Sequence, residues 1–282
     1  MCINDFTQCL WIFAFYSFIG WCLEVVFCTV STGELVNRGF LNGTVCPIYG
    51  FGAVILILCL ERVQDNLLIL YLGSVFLGSL LELIGGFLLK KLFHMSWWDY
   101  SDEPLNIGGY VCLKFSLAWG IAGVILMRVI HPLVIDAILL ISFPLLGFLL
   151  IIFYAIFVID IIVTVSTILK LNRDLQEIAY LSSLIQKNSD KIAEGIGNTA
   201  LFAADKIKGL DAKERRKELT ENLKYTAKEN REKLNNLLNN SSILRSRMFK
   251  AFPRLKNIHN NNALHEMKLR IEEQIKNRRK KD

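Results

Sequence analysis

Two glutamates, Glu24 and Glu82, each stand inside a long apolar run. A carboxylate at membrane depth costs about 2.5–3.5 kcal/mol on insertion scales, so it faces protein or a water-filled cavity rather than lipid. Helical spacing agrees. Ser17, Gly20 and Glu24 fall on one stripe, and Ser74, Gly78, Glu82 and Gly86 on another. Small residues at steps of three or four let helices approach closely. Two readings stand. The glutamates form a paired site for a cation, a proton or a polar substrate. Alternatively, each is structural, bonded to a backbone amide, a tyrosine or Arg38.

Two loops supply the other polar groups. The first runs Asn37-Arg38-Gly39-Phe40-Leu41-Asn42-Gly43, then Cys46-Pro47-Ile48-Tyr49-Gly50-Phe51-Gly52. The second runs from Trp97 to Gly109 and holds Trp98, Asp99, Tyr100, Asp102 and Asn106. Arg38 can hold a phosphate or carboxylate; it can equally anchor the interface or pair with Glu24 or Asp99. Tryptophan and tyrosine suit the headgroup level, and Gly and Asn suit plain turns. The candidate substrate-binding set is Glu24, Arg38, Asn42, Tyr49, Glu82, Trp98, Asp99, Tyr100 and Asn106. No catalytic residue can be named. There is no GxxxxGK[ST] phosphate loop, no GxSxG and no HExxH. The 7 cysteines show no metal-ligand spacing and the 4 histidines are scattered, so no metal and no cofactor is expected.

The elements that must position these groups are membrane helices. A span needs about 20 mostly apolar residues. Five stretches qualify, near residues 6–30, 44–60, 67–89, 110–129 and 133–165. The first is too long, and lacks the basic leader, for a cleavable signal. The second is interrupted by Pro47, Gly50 and Gly52, and its regular part, Ile48 to Leu60, is short enough to be broken or re-entrant. The fifth is kinkable at Pro144 and carries Asp160 late in its length. The first and third share a pattern: Phe18-Ile-Gly20-Trp-Cys-Leu23-Glu24 against Phe76-Leu-Gly78-Ser-Leu-Leu81-Glu82. Leu41-Asn42 then Val45-Cys46 is echoed by Leu105-Asn106 then Val111-Cys112. Either apolar residues match by chance, or residues 10–60 and 68–129 are two copies in the same orientation. The expected fold is all-α: a polytopic membrane helix bundle of about five spans with a parallel two-helix internal repeat, followed by a helical cytoplasmic tail.

Charge separates the two parts. Residues 1–165 hold 6 Lys/Arg and 11 Asp/Glu; residues 166–282 hold 26 and 15. The expected domains are therefore 1–165, transmembrane, and 166–282, a basic coiled-coil-like tail. Placing the N-terminus outside puts Arg38, Lys90, Lys91, Lys114, Lys170 and Arg173 inside, leaving Arg62 and Arg128 outside; this predicts an N-out, C-cytoplasmic chain. In the tail, Leu171, Leu175, Ile178, Ser182, Ile185, Ser189, Ile192 and Ile196 form a heptad seam. Residues 171–196 thus suit self-association or a helical partner. Helices are expected at 212–239 and 263–281. Met248, Phe249 and Phe252 among Arg245, Arg247, Lys250 and Arg254 suit an interfacial helix on anionic lipid. No nucleic-acid module is recognisable.

The loop motifs carry a resemblance. Gly20-Trp21…Glu24, Asn37 to Gly43, Cys46 to Gly52, Trp97-Trp-Asp-Tyr-Ser101, Asn106-Ile107, Cys112-Leu-Lys-Phe-Ser-Leu117 and Trp119-Gly120 together resemble the bacterial family described as "Putative ABC-transporter type IV", over roughly residues 10–165. One departure is Thr44, where proline is expected after Asn-Gly. The resemblance implies a multi-pass permease-like component in the bacterial cytoplasmic membrane, working with a separate ATPase. Two further readings remain. One is a membrane-embedded enzyme acting on a lipid or headgroup at the inner face through Asp99, Asp102 or a glutamate. The other is a scaffold that recruits partners through its tail.

Overall fold

The structure is a computed structural model that describes residues 6–140, 143–204, 210–239 and 242–279. It is an all-α membrane helix bundle. Helix α1 (Phe6–Thr32) ends at Gly33, whose φ of +72° suits glycine and whose N–H closes on Thr29 O at 2.8 Å. Helix α2 (Pro47–Leu60) opens on Pro47, where the missing N–H costs nothing. Helix α3 (Leu67–Phe93) is capped by Asn66, which accepts the N–H groups of Leu68 and Ile69, both at 3.1 Å.

Four helical stretches among the described residues are long and apolar enough to cross a membrane: Phe6–Thr32, Leu67–Phe93, Leu113–Ile138 and Leu145–Lys191. The expected second span falls short. Its 14 residues rise about 21 Å, against a hydrocarbon thickness of about 30 Å. Proline at its start and the loop from Val36 to Cys46 leave no apolar chain to lengthen it.

The boundary between the fourth and fifth expected spans also moves. Helix α4 (Leu113–Ile125), a widened π turn (Leu126–Ile130) and helix α5 (His131–Leu139) run on without a loop. Pro132 has no N–H to give to the preceding turn, and the widened turn lies directly before it. Arg128, within that turn, donates to Gln64 O at 2.6 Å and Asp65 O at 3.0 Å, tying down the loop before α3. The next helix, α6 (Phe143–Ala204), begins only at Phe143. Pro144 therefore sits in a first turn, where proline is tolerated, instead of kinking a span.

The chain divides into two compact units. The first comprises Met1–Leu169 and Ile243–Ile258. In it α1 packs on α2, α3 on α4, and α2 on α3. Ile12, Ile57, Leu70 and Met127 anchor its core. Leu23, Val26, Phe76, Ile84 and Ile151 point outward, an apolar surface suited to hydrocarbon. Short strand β1 (Met95–Ser96) follows α3, and β2 (Asn106–Ile107) pairs with β3 (Val111–Cys112) ahead of α4.

The first unit also takes back a piece of the tail. Helix α7 (Leu210–Asn239) belongs to the other unit, but α8 (Ile243–Ala251) and β4 (Lys256–Asn257) belong here. Strand β4 pairs antiparallel with β1, Met95 opposite Asn257. Ala251 and Phe252 pack against Cys28 and Val36, and Met248 and Phe249 are buried in protein rather than laid on lipid. The apolar face expected to meet the bilayer surface has found apolar partners at the ends of the spans.

The second unit comprises Lys170–Ser242 and His259–Asp282. There α7 packs on α9 (Asn261–Arg279), with Gln274 Nε2 donating to Asn239 Oδ1 at 3.2 Å. The start of the heptad seam, Leu171, Leu175 and Ile178, is fully buried. Ser182 and Ile185 are half-buried and Ser189 is exposed. The side chains of Ile192 and Ile196 lie outside the described residues.

Candidate functional site

Glu24 sits near the end of α1. Tyr49, in the first turn of α2, donates to Glu24 Oε1 at 2.7 Å. Arg38 Nε lies 3.1 Å from Glu24 Oε2. That N–H is not aligned as a hydrogen bond, so charge and proximity hold the pair. The guanidinium also lies over the Phe27 ring, 5.3 Å from its centroid. Gly20 makes this arrangement fit: a side chain there would collide with the Tyr49 ring.

Glu82 occupies the matching place on α3, with different partners. The Tyr100 hydroxyl donates to Oε1 at 3.0 Å and the Trp119 indole N–H to Oε2 at 3.1 Å. Tyr100 reaches in from the loop between α3 and α4 and stacks on Phe115, centroids 4.7 Å apart. Burial first, and then the neighbouring Glu82 carboxylate, push the Tyr100 phenol well above its usual range, which keeps it a donor. Gly78 lies under Trp119: an added Cβ would sit 2.8 Å from the Trp119 Cβ. Glu82 is 6% exposed. Among the described residues no Lys or Arg forms an ion pair with it.

The two halves meet. Tyr49 and Trp119 touch edge to face, centroids 5.8 Å apart, so Glu24, Tyr49, Trp119 and Glu82 form a continuous row. Beside the row lies a cavity of about 230 Å³ bounded by α1, α2, α3 and α4. Its wall is apolar except for Glu82, Ser74 and the two tyrosines Tyr16 and Tyr49. Ser74 is fully buried and its hydroxyl has no hydrogen-bond partner. Such an arrangement can hold an apolar molecule while offering one carboxylate.

The remaining candidates have other work. Asn42 Nδ2 donates to Asp160 Oδ1 and to Thr164 Oγ1, both at 2.9 Å, fastening the first loop to α6. Trp98 donates to Tyr110 O at 2.9 Å. Asp99 accepts from Ser101 and, at 2.7 Å, from Lys256; these donors, Lys256 foremost, hold its carboxyl well below the usual range. Asn106 donates to Glu103 O at 2.8 Å and accepts from Gly109 N at 3.1 Å, closing its own loop. None of these four lines the cavity.

Three residues outside the candidate set prove important. Trp119 was legible in principle, since an indole N–H inside a span must find an acceptor. Asp160 accepts the backbone N–H groups of Asn42 at 3.1 Å and Gly43 at 2.6 Å. It is another carboxylate inside an apolar run, under the same insertion cost as Glu24 and Glu82. Arg247 donates to Gly39 O at 3.1 Å and Phe40 O at 3.4 Å; nothing local in the sequence marks that contact, which spans some two hundred residues. Among the described residues no cluster of His, Cys, Asp and Glu is arranged to hold a metal ion.

No curated protein and no solved structure matches the chain. Residues 11–165, the helices and loops that build this cavity, match a family model, and the chain belongs to the family described as "Putative ABC-transporter type IV".

Proposed function

We propose that this protein is the membrane, permease-like component of a transport system whose energy comes from a separate ATPase. The observation that carries the reading is the cavity with Glu82 on its wall, set between two helix pairs. A carboxylate inside a span is costly and marks a functional site by default. The family assignment favours the same reading. The helix pairs α1–α2 and α3–α4, each with a glutamate held by an aromatic donor, favour a two-copy repeat about an axis along the membrane normal. Both loops and the α8–β4 segment gather at one end of the spans. With the basic residues of that end taken as inward, the chain is N-out and C-cytoplasmic in the bacterial cytoplasmic membrane. The enzyme reading is weaker, because Asp99 is occupied by Lys256 and Ser101.

The test is complementation of a deletion strain. Glu82→Gln keeps volume and hydrogen bonding but removes the charge. The variant should express, insert and melt like the parent, and fail to complement. Full complementation by Glu82→Gln would reduce the carboxylate to helix packing and remove the main support for a transport site.

A further inference from the structure

We propose that the cavity between α1, α2, α3 and α4 binds an apolar cation, a molecule carrying an ammonium group on a hydrophobic body. The inference rests on the transport reading and names the substrate class.

Glu24 and Glu82 stand at matching places, yet only Glu24 has a cation. Arg38 lies 3.1 Å from Glu24, whereas the partners of Glu82 are Tyr100 and Trp119, both neutral donors. An indole N–H only donates, so Oε2 is an acceptor, and the Tyr100 hydroxyl can donate to Oε1 when the carboxylate is ionised. That charge has no counter-charge among the described residues, and a buried charge left unpaired is unfavourable. A buried carboxyl without a cation is balanced either by a proton or by a cation from outside the chain, and the cavity beside Glu82 gives the cation its place.

The cavity specifies the rest of that group. Its wall is almost wholly apolar, which rejects a strongly hydrated ion. Trp119 bonds the carboxylate and touches Tyr49, both rings line the cavity, and aromatic faces attract organic ammonium groups. The volume of about 230 Å³ exceeds the ~150 Å³ that houses a benzene ring in an apolar protein cavity. Ser74, fully buried with its hydroxyl unpartnered, lines the same wall. Its hydroxyl oxygen packs against Gly123, so Glu82 alone supplies the polar contact for the ligand.

The experiment uses the full chain in nanodiscs of phosphatidylcholine, with phenyltrimethylammonium as probe and tert-butylbenzene as its neutral counterpart. Binding is read by calorimetry and ligand-observed NMR against empty nanodiscs. The cation should bind saturably and the neutral compound at least about tenfold more weakly, the scale of a desolvated cation–π contact. Glu82→Gln removes the charge attraction and should lose about tenfold for the cation and nothing for the neutral compound. Asp136→Asn, an exposed carboxylate on α5, should bind as the parent does. Equal binding of the two probes, or no saturable binding of the cation, overturns the proposal, and needs no variant to fold. If the cation fails to bind while Glu82→Gln still fails to complement, the ligand class is wrong and the transport site survives. If Glu82→Gln complements, the site itself is wrong.

Discussion

At the scale of residues, similar sequence does not give similar chemistry. Gly20-x-x-x-Glu24 and Gly78-x-x-x-Glu82 were legible as a shared pattern, and each glycine does receive an aromatic ring. What the pattern could not carry is which ring, and whether a cation comes with it. Arg38 belongs to the first loop alone; the second loop offers Tyr100 instead. Glu24→Gln should strand the Arg38 guanidinium and lower stability by about 1–3 kcal/mol, and Glu24→Gln with Arg38→Gln should recover part of that loss, as thermal unfolding in detergent will show. If the double variant is as unstable as the two single losses added, the pair is not coupled. Gly78→Leu should force Trp119 aside, at a cost of about 1–3 kcal/mol from overpacking. It should also move the Trp119 indole off Glu82, which a shift in the indole N–H resonance would register.

At the scale of elements, the segment 243–258 acts as a clasp on the first unit. Arg247 holds the carbonyls of Gly39 and Phe40, Lys250 lies 2.9 Å from Glu34, and Lys256 reaches Asp99 on the other loop. Composition grouped this segment with the basic tail because its charges look like the tail's. Its apolar face fits Cys28 and Val36, and that long-range match is invisible to a local reading. By contrast, α7 and α9 were readable from amphipathic spacing to within about two residues. Deleting residues 243–258 should leave insertion intact, since each span satisfies its own backbone bonds, but should lower the melting temperature and speed hydrogen exchange in Met95 to Trp97. An unchanged exchange rate would show that the clasp does not hold that loop. The Asp99–Lys256 pair adds a pH signature. Lys256 depresses Asp99, so the carboxylate contributes above its ordinary value of about 3.9 and loses that contribution as pH falls further. Asp99 raises Lys256, so the amine contributes below about 10.4 and loses that contribution as pH climbs past it. The pair is near the surface and contributes less than about 1 kcal/mol. Protection of the amides near β1 and β4, with the intrinsic pH dependence of exchange divided out, should therefore be flat across neutral pH and fall below about pH 4, and Asp99→Asn should remove that acid-side step.

At the scale of the whole molecule, hydropathy identified the membrane class, and it did so because about 30 Å of hydrocarbon imposes one length on any spanning helix. It misjudged where helices stop. The break expected between residues 129 and 133 is bridged by a π turn, and α2 is too short to span as an ordinary helix. A reporter fused after Lys170 should read cytoplasm, and one in the Glu61 to Asn66 loop should read exterior; the same side for both would overturn the proposed topology. The central claim is that the chain works as the membrane partner of an ATPase. Its most direct measurement is purification of the tagged full chain from native membranes in mild detergent, followed by identification of bound proteins and an ATP hydrolysis assay. A transport component predicts a nucleotide-binding ATPase in near-equal amount, with hydrolysis lost when the chain is deleted. A chain that purifies with no ATPase, from cells whose lipid composition changes on its deletion, would contradict it.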